Sequence, residues 1–300
     1  MSKTKAFISA ARLRTLPLSL SGIIAGTGIA ASRGFFDWKI FVLALFTTVG
    51  FQVLSNFAND YGDGVKGTDN DDRVGPQRAL QSGTITAAEM KRAMAVTIAI
   101  TMLVALLLIY VAFGKENFAY SLLFFILGVA SIVAAIKYTV GKSAYGYHGL
   151  GDVFVFLFFG LLSVAGSYFL YVKNIDWTVF LPATSIGLLS VGVLNLNNMR
   201  DERSDAKSGK NTLVVKIGGK KAKQYHITVL IVALLLVLLF ALLQSFYIYQ
   251  YLFLLAFVPV LKHIKTVREN KIPEELDPEL KKLAISTFLL SVLLAVGAIL

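Results

Sequence analysis

Residues 224–261 read QYHITVLIVALLLVLLFALLQSFYIYQYLFLLAFVPVL, 38 residues without an Asp, Glu, Lys or Arg. A bilayer core about 30 Å thick is crossed by roughly 20 helical residues, each rising about 1.5 Å. The stretch is nearly twice too long for one crossing, so it predicts a helical hairpin turning near Gln244, Ser245 and Gln250, where polar residues gather. Outward from it, the gaps between charged residues leave further uncharged runs at 15–32, 40–59, 93–114, 117–136, 153–172, 177–199 and 283–300, between 18 and 23 residues long. Each fits one crossing. The reading is an all-α integral membrane protein with nine transmembrane helices. Composition agrees: 56% of the 300 residues are hydrophobic and 16% charged, against about 45–50% and ~25% in soluble domains. A soluble globule, a fibre and a disordered chain are excluded.

The net charge of +11 reads as topology and not as nucleic-acid binding. With the N-terminus in the cytoplasm, all but four of the 29 Lys and Arg fall on the cytoplasmic side; the exceptions are Arg33, Lys39, Lys115 and Lys173 in short external loops. This is the positive-inside pattern, and it also draws the basic loops to an anionic leaflet of the lipid bilayer. The absence of cysteine excludes disulfides and thiolate metal sites. The first run follows basic residues and ends in small ones near Ala30 and Ser32, as a leader does. It is nonetheless read as a retained first span, since removing it would discard a spanning run and the cytoplasmic N-terminus.

Two cytoplasmic loops, 59–91 and 197–223, are long and rich in Asp, Gly, Lys and Arg, whereas 262–282 mixes both signs of charge and reads as a solvated surface helix. The second span ends in SNFANDYGDGVKGTDNDDR, residues 55–73. On a helix, Asn56, Asn59, Asp60 and Asp63 share one face, and Asp69, Asp71 and Asp72 follow. The sixth span ends on the same side in LNLNNMRDERSDAKSGKNT, residues 194–212, where Asn198, Asp201 and Asp205 share a face. Carboxylates at a membrane boundary are costly unless paired or metal-bound. Oxygen donors without Cys or His favour a hard cation, Mg2+, which binds through one or two carboxylates plus substrate phosphate oxygens. Lys66, Arg73, Arg78, Arg200, Lys207 and Lys210 stand in the same loops and Lys142 in the cytoplasmic loop after the fourth span, and metal with Lys and Arg is what a diphosphate leaving group requires. His148, beside Gly149, reads as structural before catalytic.

Taken together, NDYGD…D at 59–69, NNMRDERSD at 197–205, RLRTLPLSLSG at 12–22, the run 59–83 and YHGLGDVFVFLFFG at 147–160 resemble the intramembrane aromatic prenyltransferases, and within them the branch acting on 1,4-dihydroxy-2-naphthoate in menaquinone synthesis. The resemblance runs from Arg12 to about Gly218. It implies one membrane-embedded prenyltransferase domain over 1–300, a nine-helix bundle with a cytoplasmic cap formed by the two acidic loops, and a bacterial inner-membrane location. It further implies Mg2+ at Asn56, Asp60, Asp63 and Asp69 in the first cluster and at Asn198, Asp201 and Asp205 in the second, with Asp60, Asp63, Asp201 and Asp205 central to catalysis. Tyr138 and Lys142 match a diphosphate-contacting Tyr-x3-Lys element, joined by Lys66 and Arg73. Where the hydroxybenzoate branch spaces its first motif Asn-x3-Asp-x3-Asp, position 64 here is Gly, so the third acidic role falls to Asp63 or Asp69. The implied substrates are a polyprenyl diphosphate and the naphthoate. Another acceptor (4-hydroxybenzoate, homogentisate or haem), a cation-coupled transporter and an assembly protein are the alternatives. The span middles hold no acids, which weighs against a transporter.

Overall fold

The computed structural model describes residues 2–69 and 77–300. Among these residues, nine helices are long and apolar enough to cross a membrane: Lys3–Ser32, Trp38–Lys66, Ala87–Phe113, Phe118–Lys137, Gly151–Val172, Trp177–Arg200, Gly219–Leu243, Ile248–Glu269 and Pro273–Ile299. They are called the first to ninth spans. The hairpin falls where the sequence places it. The seventh span ends at Leu243, Ser245 turns the chain with φ 54°, and Gln250 caps the returning helix by accepting from the Tyr247 amide at 2.8 Å.

The sixth span is the most enclosed. It packs against the fifth, seventh and ninth, while the first lies between the fifth and ninth. The second, third and fourth spans pack on one another. Between the fourth and the fifth an apolar cavity of about 460 Å³ opens, lined by Leu123, Phe124 and Leu127 on one side and by Phe154, Phe158, Leu161 and Phe169 on the other. Many outward side chains are large and apolar, Leu103, Leu107, Phe118 and Leu235 among them. A surface of that kind suits lipid and not water.

Three features depart from the sequence reading. The membrane segment of the first span, Leu16–Ser32, matches the run 15–32, but a separate helix precedes it: Lys3–Ala11, whose buried face, Ala6, Ala10 and Ala11, lies against the second span. Arg12, in the left-handed region at φ 49°, makes the corner before Leu16 begins the membrane segment. Second, the stretch 262–282 is no separate surface helix. The eighth span continues to Glu269 and the ninth begins at Pro273, so the charges sit on membrane helices prolonged beyond their apolar runs. Glu279 is buried there, bonded to His263 Nδ1 at 2.5 Å and to Lys282, and His263 meets His226 at 2.8 Å. The third departure concerns the acidic loops, whose described residues are helical in part: the second span runs to Lys66, and Glu202–Lys207 and Leu213–Ile217 are short helices.

Sidedness is open to a direct measurement. With no native cysteine, single cysteines at the exposed positions Lys66 and Lys142 are expected to label from the cytoplasm, and those at Lys115 and Lys173 from outside. External labelling at position 66 or 142 overturns the orientation.

Candidate active site

The C-terminal ends of the second and sixth spans meet at one end of the bundle. Each is a helix whose last turns carry Asp where an apolar residue would otherwise enter the core, and the carboxylates are buried: Asp60, Asp63, Asp69, Asp201 and Asp205 are all less than a tenth exposed. Buried charge persists only when compensated, and here cations are interleaved with the acids. Asp60 is ion-paired with Arg12 and lies 3.4 Å from Arg78. Arg78 also faces Asp69 at 3.8 Å. Arg200 grips Asp201 through two nitrogens, at 2.8 and 2.6 Å, and holds Asp277 with the third. Lys210 bridges the clusters, 3.7 Å from Asp63 and 3.7 Å from Asp205. Burial works against the charge on Lys210, but the two carboxylates outweigh it and hold its pKa above the ordinary lysine range.

A third element completes the site. The loop between the fourth and fifth spans lays Tyr147 across the first cluster; its hydroxyl donates to Asp63 at 2.8 Å and contacts Thr68 at 2.5 Å. The Tyr147 carbonyl accepts from the Asn211 amide at 3.1 Å, and the His148 carbonyl from Lys216 at 2.6 Å, which ties the loop to the second acidic segment. Burial raises the Tyr147 phenol well above its usual range, with Asp63 adding to the effect, and pushes Tyr138 up to about 12. Both phenols therefore stay protonated donors. Asp63, Thr68, Asp69, Arg78, Asn197, Asp201, Ser204, Asp205 and Lys210 enclose a polar cavity of about 20 Å³, the room of one water molecule or a small ion.

The expected site residues fall into three groups. Asp63, Asp69, Asp201 and Asp205 line the cavity, and both candidates for the third acidic role are present, Asp63 toward Lys210 and Asp69 toward Arg78. Asp60 lies behind it, occupied by arginines. Asn56, Asn198 and Lys142 depart from expectation. The Asn56 amide donates to the Ala11 carbonyl at 2.9 Å, tying down the N-terminal helix. Asn198 is buried, while its neighbour Asn197 lines the cavity. Lys142 is exposed, with no ion pair among the described residues, and Lys210 stands between the clusters instead. Lys66 lies 3.8 Å from the Tyr147 ring centre, a cation–π contact at the rim. Arg73 lies outside the described residues, and the His148 ring is exposed. Arg12, Tyr147 and Asn197 were not legible as site residues; the signal available for Arg12 was a buried Asp60 in need of a counter-ion.

The sequence profile described as the UbiA prenyltransferase family matches residues 19–276. The chain belongs to that family. Among its UbiA relatives, the 1,4-dihydroxy-2-naphthoate octaprenyltransferase of Escherichia coli (strain K12) is 44% identical over 297 residues, covering 99% of this chain and 96% of the relative. The enzyme of the same description from Haemophilus influenzae is 43% identical over 297 residues, covering 98% and 96%. That from Mycobacterium tuberculosis is 36% identical over 233 residues, covering 78% and 77%. Of solved structures, a UbiA homolog from Aeropyrum pernix K1 superposes with a TM-score of 0.69 at 15% identity, covering 93% of this chain and 96% of that one. A second, from Archaeoglobus fulgidus bound to DMAPP and Mg2+, gives 0.59 at 14%, covering 96% and 99%. These likenesses place the nine-helix bundle in the UbiA fold.

The donor set can be tested against a divalent cation. Among the described residues no three acidic, Cys or His side chains converge closely enough to enclose an ion unaided, because Lys210, Arg78 and Arg200 stand between them. All donors are oxygens, and two carboxylates per side complemented by diphosphate oxygens are what Mg2+ takes. The residues fit a metal that arrives with its substrate.

Proposed function

We propose that this chain transfers a polyprenyl group from an allylic polyprenyl diphosphate to 1,4-dihydroxy-2-naphthoate, with loss of diphosphate and CO2, giving the demethylmenaquinol used in menaquinone biosynthesis. The observation that carries the reading is two buried acidic clusters, interleaved with Lys and Arg, linked by ring contacts from Tyr138 through Tyr145 and Phe154 to an apolar groove between spans. Such a site suits an amphiphile with a polyanionic head and a hydrocarbon tail. The acceptor is supported by relatives matched over nearly their full length at over two-fifths identity.

In this reading the donor diphosphate docks at the cytoplasmic cap against Lys210 and Arg78, with the Tyr147 and Tyr138 hydroxyls as neutral donors. Asp63 and Asp69 on one side and Asp201 and Asp205 on the other would hold Mg2+, which when bound neutralises charge developing on the departing diphosphate. Asp60 fixes Arg12 and Arg78, so the cationic wall is organised before substrate arrives. From Tyr138 an aromatic ladder descends through Tyr145, Phe154 and Phe158, with ring centres 5.4, 3.8 and 6.3 Å apart. Ring faces stabilise cationic carbon, and the ladder leads from the head-group site into the groove that takes the tail. The groove walls exclude water that would quench an allylic cation.

The test uses membranes containing the protein, a polyprenyl diphosphate and naphthoate labelled in its carboxyl carbon, with and without Mg2+. Labelled CO2 released in step with prenylation, and only with the divalent cation, is the expected result. A prenylated product that keeps the label, a preference for 4-hydroxybenzoate, or full activity in chelator defeats the corresponding part of the reading.

A further inference from the structure

Among the described residues, every buried carboxylate of the acidic clusters faces an Arg or a Lys: Asp60 Arg12, Asp63 Lys210, Asp69 Arg78, Asp201 Arg200 and Asp205 Lys210. Buried Glu279, outside them, has Lys282. Asp152 breaks the pattern. It sits in the first turn of the fifth span, is 8% exposed, and has no cationic partner among the described residues. Its hydrogen-bonding neighbour is the Tyr225 hydroxyl of the seventh span, and Oδ2 has no partner.

The location gives this carboxylate its meaning. A side chain at Gly151 would meet the Tyr138 ring at 3.2 Å and its hydroxyl at 3.4 Å, so the head of the fifth span lies directly against that phenol. Tyr138 is also within electrostatic reach of Lys210, Asp63, Asp205 and Asp152. Two residues beyond Asp152, Phe154 belongs to both the aromatic ladder and the groove lining. Asp152 thus stands where the diphosphate site passes into the tail groove, which is where the allylic carbon and the acceptor ring must meet. The side chains facing it are Tyr225 from the seventh span and Tyr138 from the end of the fourth, with Leu194 of the sixth span against the adjoining Gly151. The helix N-terminus favours an acid in its first turn, but such an acid is served as well at the surface, and burial adds a desolvation cost that no cationic side chain among the described residues offsets.

We infer that Asp152 is a catalytic residue that takes the proton of the acceptor hydroxyl beside the attacked carbon and returns it at the end of the reaction. The inference rests on the reaction proposed above. As the ring carbon bearing the carboxylate bonds to the allylic carbon, the allylic C–O bond breaks and its electron pair leaves with diphosphate. The adjoining O–H proton passes to Asp152, leaving a ring ketone beside the carbon that carries both the prenyl chain and the carboxylate. The bond to the carboxylate then breaks, CO2 departs, and the electron pair restores the aromatic ring as a naphtholate, which takes the proton back from Asp152. No proton enters or leaves overall, so the base needs no path to water, and a buried one serves. Proton uptake removes a charge that no cationic side chain among the described residues pairs with.

The experiment uses the full-length protein in lipid vesicles with farnesyl diphosphate and 1,4-dihydroxy-2-naphthoate. Asp152→Asn is expected to lower kcat by about 10²–10⁴-fold, the range of general acid–base catalysis, and to leave the KM for farnesyl diphosphate within about twofold. Its activity should climb with pH as the acceptor hydroxyl ionises in solution, a rescue that a merely structural role would not show. Asp152→Asn with kcat within about threefold of wild type, or with its loss confined to farnesyl diphosphate binding, overturns the role. Should that variant fail to fold, Asp152→Glu and Tyr225→Phe carry the test: both must lower kcat at unchanged donor KM, and wild-type kcat in both overturns it. The wild-type protein run alongside separates the two claims. No transfer to naphthoate by the wild type defeats the proposed function, whereas normal wild-type transfer beside an unimpaired Asp152→Asn defeats only the role of Asp152.

Discussion

Asp60→Ala is expected to be the most damaging single substitution in the chain, and to act on stability and activity together. Asp60 is 1% exposed and paired with Arg12 and Arg78. Removing it leaves two guanidinium groups, each largely buried, without their shared anion. Breaking a buried pair in this way costs about 3–5 kcal/mol. The same loss frees the corner made by Arg12 and the cationic wall made by Arg78, so turnover should fall by about 10²–10³, as when one preorganised charge-stabilising group is lost. Thermal unfolding in detergent and prenyl transfer are the two readouts. Asp60→Ala combined with Arg12→Ala should recover part of the stability and none of the activity, because one of the stranded charges is then gone. A single Asp60→Ala protein as stable and active as wild type would refute the assignment.

The second large effect is expected far from the acids, at Gly160. A Cβ there would stand 2.6 Å from the Gly187 Cα and 2.7 Å from the Ala183 carbonyl. The fifth and sixth spans therefore touch backbone to backbone, a contact open only to small residues and held by dispersion in a setting where lipid competes for every apolar surface. No neighbouring side chain can swing aside, since the atoms met are main chain. Gly160→Leu should force these spans apart and yield protein that is inserted but unstable in detergent, whereas Gly160→Ala should be milder yet measurably destabilised. The fifth span carries Asp152 and one wall of the groove, so residual folded Gly160→Ala protein should also lose acceptor affinity. Unchanged detergent stability for Gly160→Leu would show that the spans are not packed this closely.

The nine crossings and the two acidic helix ends were legible in the sequence because both rest on local chemistry. A run of about 20 uncharged residues has one inexpensive environment, and Asp at helical spacing declares a polar face whatever surrounds it. The hairpin at 224–261 needed only a length and three polar residues. What the sequence could not supply was which charges neutralise which. Arg12 meets Asp60 across 48 residues, and Lys210 faces both Asp63 and Asp205. Pairings of that kind are set by how helices pack, and no spacing rule reports them. The same limit explains the misplaced amides: the N-terminal helix claims Asn56, and Asn197 lines the cavity where Asn198 was expected. The isolation of Asp152 is the clearest case. In sequence it is one Asp in a glycine-rich loop; only the tertiary structure surrounds it with Tyr225 and Tyr138 and, among the described residues, leaves it without a cation, because counter-ions are delivered by neighbouring helices and not by neighbouring residues.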